Sequence, residues 1–360
     1  MLGCLIVKPT ESCNLDCKYC LRTTKSSAYM SSQTLEKLYL RLAEYPFKRL
    51  RIIWHGGEPL TAGIGFYERA MALQKEYLPD RTVINSIQTN GTLINDSWCH
   101  FFNENRFSVG VSLDGDKAMN ADRIYPDGKD AVSDIIKGID LLRIHHVKYG
   151  LLAVISNSII GREKAFYRFF KKHTHSLRIN FVVPYGVGKD NVAFSYEEYL
   201  DALGDSIIKL YNIWKKDHSG KELFSILPFS EIVRSLINGR VNTCSFSDNG
   251  CHNVLSLGHD GSLYSCGRLA EDEEFAMGNI NDCSFEEALD SAFGQMRRKR
   301  EQHIIAECGD CEFLNICHGG CAQEAYALSG DYFKKTPFCT IFKRLFTHVK
   351  DDLKAINALP

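Results

Sequence analysis

Short apolar, β-branched runs recur along the first half of the chain and alternate with longer stretches whose apolar residues repeat every three or four positions. The runs Cys4–Val7, Leu50–Trp54, Val83–Gln88, Phe107–Leu113, Tyr149–Ile155 and Leu177–Val183 predict six strands. Between them, helical spacing predicts helices after Ser32 and over Phe66–Tyr77, Asp96–Asn103, Ala131–His145 and Glu163–His173. Ser32 is the expected cap of a helix in which Leu35, Leu38, Tyr39 and Leu42 share one face. A longer amphipathic helix, Ser195–Trp214, closes this half, and residues 219–240 read as a bridge into the C-terminal part of the chain. Six strand–helix repeats imply a parallel sheet wrapped by helices, open or curled into part of a barrel. Sites in such folds lie at the C-terminal ends of the strands.

At 360 residues, with 44% hydrophobic side chains, the chain is long enough for a large domain and a smaller one. A formal net charge of −1 gives no reason to expect nucleic acid or a membrane surface as partner. The basic run Arg297–Arg298–Lys299–Arg300 reads as a solvated helix face. No apolar stretch is long enough for a membrane span, and the N-terminal apolar run is too short for a secretory signal. The expectation is a protein of the reducing cytoplasm.

Fourteen cysteines change the picture. Three lie at Cys13, Cys17 and Cys20, nine fall between Cys244 and Cys339, and the long middle holds only Cys99. In a reducing compartment such clusters read as metal ligands rather than disulfides. Cys4 and Cys99 read as small buried hydrophobes, and Cys283 as a loop residue. The triad comes directly after the first strand. Three thiols on one loop can ligate three irons of a 4Fe–4S cubane and leave the fourth iron open. The alternative is a zinc knuckle that borrows a distant fourth ligand.

The spacing Cys13-x3-Cys17-x2-Cys20, with Tyr19 before the last cysteine, resembles the signature of radical S-adenosylmethionine (SAM) enzymes. That resemblance implies a partial (β/α)6 TIM-like barrel, a 4Fe–4S cluster whose open iron is chelated by SAM, and a 5′-deoxyadenosyl radical that abstracts hydrogen from the substrate. Gly56-Gly57-Glu58, after the second strand, is similar to the family's segment for the SAM amino group. Glycines permit close approach to a ligand, and a carboxylate suits an ammonium. Gln88-Thr89-Asn90-Gly91 and Ser112-Leu113-Asp114-Gly115 resemble segments near the cofactor and substrate pocket. The resemblance implies Tyr19, Gln88, Asn90, Ser112 and Asp114 as cofactor neighbours. Arg123 stands near the place of an arginine that pairs with the SAM carboxylate, one residue out of the usual spacing; otherwise it is a surface arginine. His55 adjoins this set and reads equally as a packed or solvent-facing residue.

The remaining cysteines resemble a SPASM domain, a cysteine-rich α+β extension that holds two auxiliary 4Fe–4S clusters. The resemblance implies Cys244, Cys251, Cys266 and Cys321 for the first and Cys308, Cys311, Cys317 and Cys339 for the second. It divides the chain into a radical SAM core over 1–218, a bridge over 219–243, the SPASM domain over 244–345 and a tail over 346–360. A pair of Cys4 zinc sites, in a non-catalytic interaction protein, is the reading from another class.

Two activities within the family compete. Anaerobic sulfatase-maturing enzymes oxidise a Cys or Ser side chain to formylglycine, and the run Ser86–Gly91 resembles theirs. They carry an aspartate as proton acceptor directly after the third cysteine of the first auxiliary site. Here that position is Gly267, which cannot act as a base, leaving Asp248 or Asp260 as candidates. Peptide maturases that crosslink side chains, cyclophane-forming enzymes included, need no such aspartate. This reading expects a ribosomally made precursor peptide as substrate. It also expects flavodoxin or ferredoxin as electron donor and, because the first cysteine of the triad comes at position 13, recognition by the barrel, the SPASM domain or a separate peptide-recognition protein.

Overall fold

The alternation of strand and helix runs through the computed structural model, which describes residues 2–22, 26–191, 196–217, 224–239, 241, 243–246, 251–270 and 272–359. Strands β1 (Cys4–Val7), β2 (Arg49–Trp54), β3 (Thr82–Thr89), β4 (Ser108–Ser112), β5 (Tyr149–Ile155) and β6 (Ser176–Phe181) lie side by side and parallel, in chain order. Helices α1 (Ser32–Glu44), α2 (Ile64–Tyr77), α3 (Asp96–Glu104), α4 (Val132–Ile144) and α5 (Glu163–His173) connect them, as a partial TIM-like barrel requires. Along β6 the alternation is clear: Leu177, Ile179 and Phe181 are buried, while Arg178 and Asn180 face the other way and are half-buried.

The sheet does not stop at six strands. In the stretch expected only to bridge, β7 (Ser225–Leu227) pairs parallel with β6 and is followed by α7 (Phe229–Asn238). A three-residue strand is below what apolar periodicity can signal. On the other side β8 (Val254–Leu257) pairs parallel with β1, and β9 (Ser262–Tyr264) and β10 (Ala276–Asn279) extend it antiparallel. One ten-stranded sheet therefore carries both the barrel and the cysteine-rich part. Short helices α8 (Phe285–Asp290), α9 (Ala292–Arg297), α10 (Arg300–Cys308), α11 (Leu314–Cys317) and α12 (Ala322–Ser329) complete the latter.

Three local expectations are corrected. The cap of α1 is Ser31, in an extended conformation with its hydroxyl accepting the Thr34 N–H; Ser32 is the first helical residue. The stretch expected as a tail is largely the second half of α13 (Cys339–Ala355), which lies on α6 (Tyr196–Asp217). Its apolar stripe continues past position 345 through the buried Phe346, Val349 and Leu353, and Lys215 pairs with Asp352 at 2.7 Å. The basic run at 297–300 is not a solvated face. Arg297 is 2% and Arg300 9% exposed, and only Arg298 and Lys299 face outward.

Candidate active site

The cysteine loop leaves β1 and is held by its neighbours' backbones. Asp16 and Lys18 donate N–H bonds to the carbonyls of Ile124 (2.8 Å) and Asp122 (2.9 Å), and the Cys20 N–H returns to the Cys17 carbonyl at 3.1 Å. Each sulfur of the triad meets its own donor. Cys13 Sγ accepts from the Leu15 N–H (3.4 Å) and the Asn90 amide (3.9 Å), Cys17 Sγ from Arg123 Nη1 (3.9 Å), and Cys20 Sγ from Arg22 Nε (3.2 Å). Burial pushes the Cys13 thiol up to about 11 and the Cys17 thiol up to about 12. Thiols so disfavoured as free thiolates take the charged form once a metal replaces the proton.

Gly56 and Gly57 let this loop pass the end of β2. A Cβ on Gly56 (φ +118°) would sit 2.3 Å from the Thr10 carbonyl oxygen, and one on Gly57 2.1 Å from that of Ser12. No side chain fits in either place. The glycines are thus required by the approach of residues 10–12 as well as by any ligand. Glu58 does not offer its carboxylate outward. It is fully buried, with Oε1 accepting from the Thr89 hydroxyl (2.7 Å) and the Leu60 N–H (3.0 Å) and Oε2 from the Asn90 N–H (2.7 Å). Burial outweighs the three hydrogen bonds and raises the Glu58 carboxyl to about 7.

The ends of β3 and β4 add a polar row. The Gln88 amide donates to Ser112 Oγ at 2.9 Å, and the Asn90 amide reaches Asn14 Oδ1 at 2.8 Å. Beside it Asp114 accepts from the Tyr19 hydroxyl, the Val154 N–H (2.8 Å) and Arg123 Nη2 (3.2 Å). Arg123 is no surface residue: it is 6% exposed, lies over the Tyr19 ring at 5.6 Å, and keeps its Nε without a hydrogen-bond partner among the described residues. That N–H and the Asn120 amide are the two unpaired donors here. A buried donor without a partner is costly, so a carboxylate bound at this point would relieve it. His55 is exposed at the rim, its Nδ1 accepting the Gly56 N–H.

The second group of thiols encloses a small cavity of about 20 Å³ between α10, α11 and the start of α13, lined by Cys308, Cys311, Cys317 and Cys339 with Leu314, Gly319, Lys335 and Thr336. A third group gathers where β8–β9, α12 and residues 243–246 meet. Cys251 and Cys266 both feel Cys244, Cys266 feels Cys251, Cys321 feels Cys266 and Cys251, and Arg268 stands among them. Thr243 Oγ1, Ser265 Oγ and both amide atoms of Gln323 are buried here without hydrogen-bond partners among the described residues. These positions flank or come shortly after Cys244, Cys266 and Cys321, so a sulfide-bearing group in their midst would supply acceptors for the two hydroxyls and for Gln323 Nε2. No three His, Cys, Asp or Glu side chains among the described residues converge closely enough to hold a single metal ion. Around the cavity between α10, α11 and α13 the four thiols stand about a space, an arrangement that suits a cubane.

Two arginines expected on a solvated face belong to this region. Arg297 clamps the Cys251 loop, its Nη1 donating to the carbonyls of Cys251 (2.8 Å) and Val254 (3.1 Å) and its Nη2 to that of His252 (3.1 Å). Arg300 holds the carbonyls of Tyr332 (3.0 Å) and Lys334 (2.9 Å). Arg297 ends α9 and Arg300 opens α10, so no single helical face announces the pair in the sequence. Of the remaining thiols, Cys99 is buried on α3 and Cys283 lies on a loop against Gly278, both as expected, while Cys4 is half-buried on β1. Asp260 caps the β8–β9 turn, its carboxylate held by the Ser262 N–H (3.0 Å) and hydroxyl (2.8 Å); Asp248 lies outside the described residues.

Family models match the radical SAM superfamily over residues 7–163 and the SPASM iron–sulfur cluster-binding domain over residues 236–312. The serine-type anaerobic sulfatase-maturating enzyme of Bacteroides thetaiotaomicron is 30% identical, across 96% of this chain and 89% of the relative. The cysteine-type enzyme of Clostridium perfringens is 28% identical, across 96% and 95%. Among solved structures, native anSMEcpe with bound AdoMet and Cp18Cys peptide superposes with a TM-score of 0.86 at 27% identity, covering 99% of both chains. Streptococcus suis SuiB bound to its precursor peptide SuiA, at 16% identity and a TM-score of 0.65, covers 94% of this chain and 76% of that one and shares the fold. The chain belongs to the radical SAM superfamily, within the SPASM-bearing group that includes the anaerobic sulfatase-maturating enzymes, and is an enzyme acting on a protein or peptide.

Proposed function

We propose that this enzyme joins two side chains of a precursor peptide oxidatively, rather than converting a Cys or Ser to formylglycine. One observation carries the reading. Gly267 not only lacks the aspartate of the formylglycine pathway, it has little room for one. A Cβ built there would lie 3.1 Å from two carbons of the Ile6 side chain. Asp260 is no substitute, because its exposed carboxylate is engaged by Ser262.

In this reading Cys13, Cys17 and Cys20 hold the cluster with the open iron. Cys244, Cys251, Cys266 and Cys321 hold one auxiliary cluster, and Cys308, Cys311, Cys317 and Cys339 the other. When bound, the open-iron cluster and SAM supply a 5′-deoxyadenosyl radical able to abstract a hydrogen atom. The chain's own residues orient and enclose. In this reading the unpaired Arg123 Nε and Asn120 amide would receive the SAM carboxylate, the backbone of Gly56, Gly57 and Glu58 its amino group, and Tyr19, Gln88, Asn90, Ser112 and Asp114 would line the remainder. Residues 1–218 serve as the radical core and 244–345 as the auxiliary unit. A flavodoxin or ferredoxin is the proposed electron source, and a separate recognition protein a further partner.

Formylglycine formation is the second reading, favoured by sulfatase-maturating relatives at 28–31% identity. Mass spectrometry separates the two. The crosslinked product is lighter than a cognate precursor by two hydrogen atoms and carries no aldehyde. An aldehyde-reactive product from a Cys- or Ser-containing sulfatase peptide, formed as fast as 5′-deoxyadenosine, would reverse the ranking.

A further inference from the structure

The donors on the triad's sulfurs are not equivalent. Cys13 meets two neutral N–H groups, from Leu15 and Asn90. Cys17 meets the Arg123 guanidinium, whose charge is already paired with Asp114 at 3.2 Å. Cys20 meets Arg22 Nε at 3.2 Å, closer than the donors on Cys13 and Cys17, which stand at 3.4–3.9 Å. Arg22 makes no ion pair with a carboxylate among the described residues; its Nη1 goes to the neutral carbonyl of Glu11 at 2.5 Å. The nearby Glu11 carboxylate also acts on Arg22 but is itself paired with Lys8 at 3.1 Å, and the guanidinium bears directly on the Cys20 sulfur.

Arg22 is also held in place. Its carbonyl accepts the Val187 N–H at 2.6 Å, and the Gly188 N–H binds the Cys20 carbonyl at 3.0 Å. Gly186 and Gly188 pass so close that a Cβ on either would meet main-chain atoms of residues 18–22 at 2.5 Å. The segment after β6 thus braces the end of the cysteine loop, and the guanidinium curls back onto sulfur from a fixed base.

Hydrogen bonds to ligand sulfur and nearby positive charge both favour the reduced, more negative form of an iron–sulfur cluster. Resting on the reading of Cys13, Cys17 and Cys20 as cluster ligands, we propose that Arg22 is a positioning residue that raises the reduction potential of the radical-generating cluster through Cys20. It touches neither substrate nor SAM in this role.

The test uses the full chain, purified and reconstituted without oxygen, as wild type, Arg22→Gln and Arg22→Lys. Redox titration monitored by electron paramagnetic resonance reads the signal that changes shape on adding SAM, which isolates this cluster from the auxiliary ones. In Arg22→Gln the ratio of reduced to oxidised cluster at the wild-type midpoint should fall about tenfold, equivalent for one electron to a shift of about 59 mV. Arg22→Lys should recover part of it, and signals unresponsive to SAM should not move. An unchanged midpoint in Arg22→Gln at full iron content overturns the proposal. So does loss of about four irons from both variants, which would make Arg22 a structural clamp. A wild-type protein with no SAM-responsive signal would instead refute the cluster reading, and this proposal with it.

Discussion

The Glu58 carboxylate accepts the backbone N–H of Asn90 at 2.7 Å, tying the end of β2 to the end of β3 beneath the cysteine loop. Because the acid is raised from 4.5 to about 7 by burial, the folded state binds this proton more tightly than the unfolded chain does. Stability from this group is therefore highest below pH 4.5 and declines as pH rises through 7. The decline is about 3 kcal/mol at most, from the value of one pKa unit. Glu58→Gln should flatten that part of the pH dependence, read as the urea midpoint between pH 5 and 8 under anaerobic conditions. An equally steep slope in the variant would assign it to another group.

Arg297 should matter far more than its neighbour Arg298. Its guanidinium holds three carbonyls around Cys251, whereas Arg298 is half-exposed and pairs with Asp290. Arg297→Met should cost about 3–5 kcal/mol, since the buried carbonyls lose charged donors, and should lower iron bound near Cys251. Arg298→Gln should change stability by less than about 0.5 kcal/mol. Denaturant midpoints and iron content of the two variants check this directly.

Removing the triad isolates the radical site. Replacing Cys13, Cys17 and Cys20 with Ala should remove about four irons and abolish 5′-deoxyadenosine formation while the auxiliary clusters survive. Dithionite-driven SAM cleavage by the triple variant would show that the radical is made elsewhere.

Gly267 and Ile6 predict an engineering outcome. Gly267→Asp alone should destabilise the protein by about 1–3 kcal/mol, the usual cost of overpacking, because Ile6 stands in the way. Adding Ile6→Ala should recover part of that loss, a coupling that a double-mutant cycle measures. Additive effects would mean that the two side chains do not compete for one space.

Local pattern was enough for much of this protein. Strand runs such as Tyr149–Ile155 and the helical stripe of α1 announce themselves, because burial alternates every second residue in a strand and every three or four in a helix. The cysteine spacings did the same for the resemblance to a radical SAM and SPASM chain, which the family models match. The direction of each buried polar side chain needed the folded chain. Glu58 turns inward to Thr89 and Asn90, Arg297 inward to Cys251, and Ile6 covers Gly267. Each relation joins segments from about 30 to more than 250 positions apart in sequence. Periodicity reports whether a residue is buried, but a buried donor or acceptor is oriented by whichever partner the rest of the fold brings within hydrogen-bond reach.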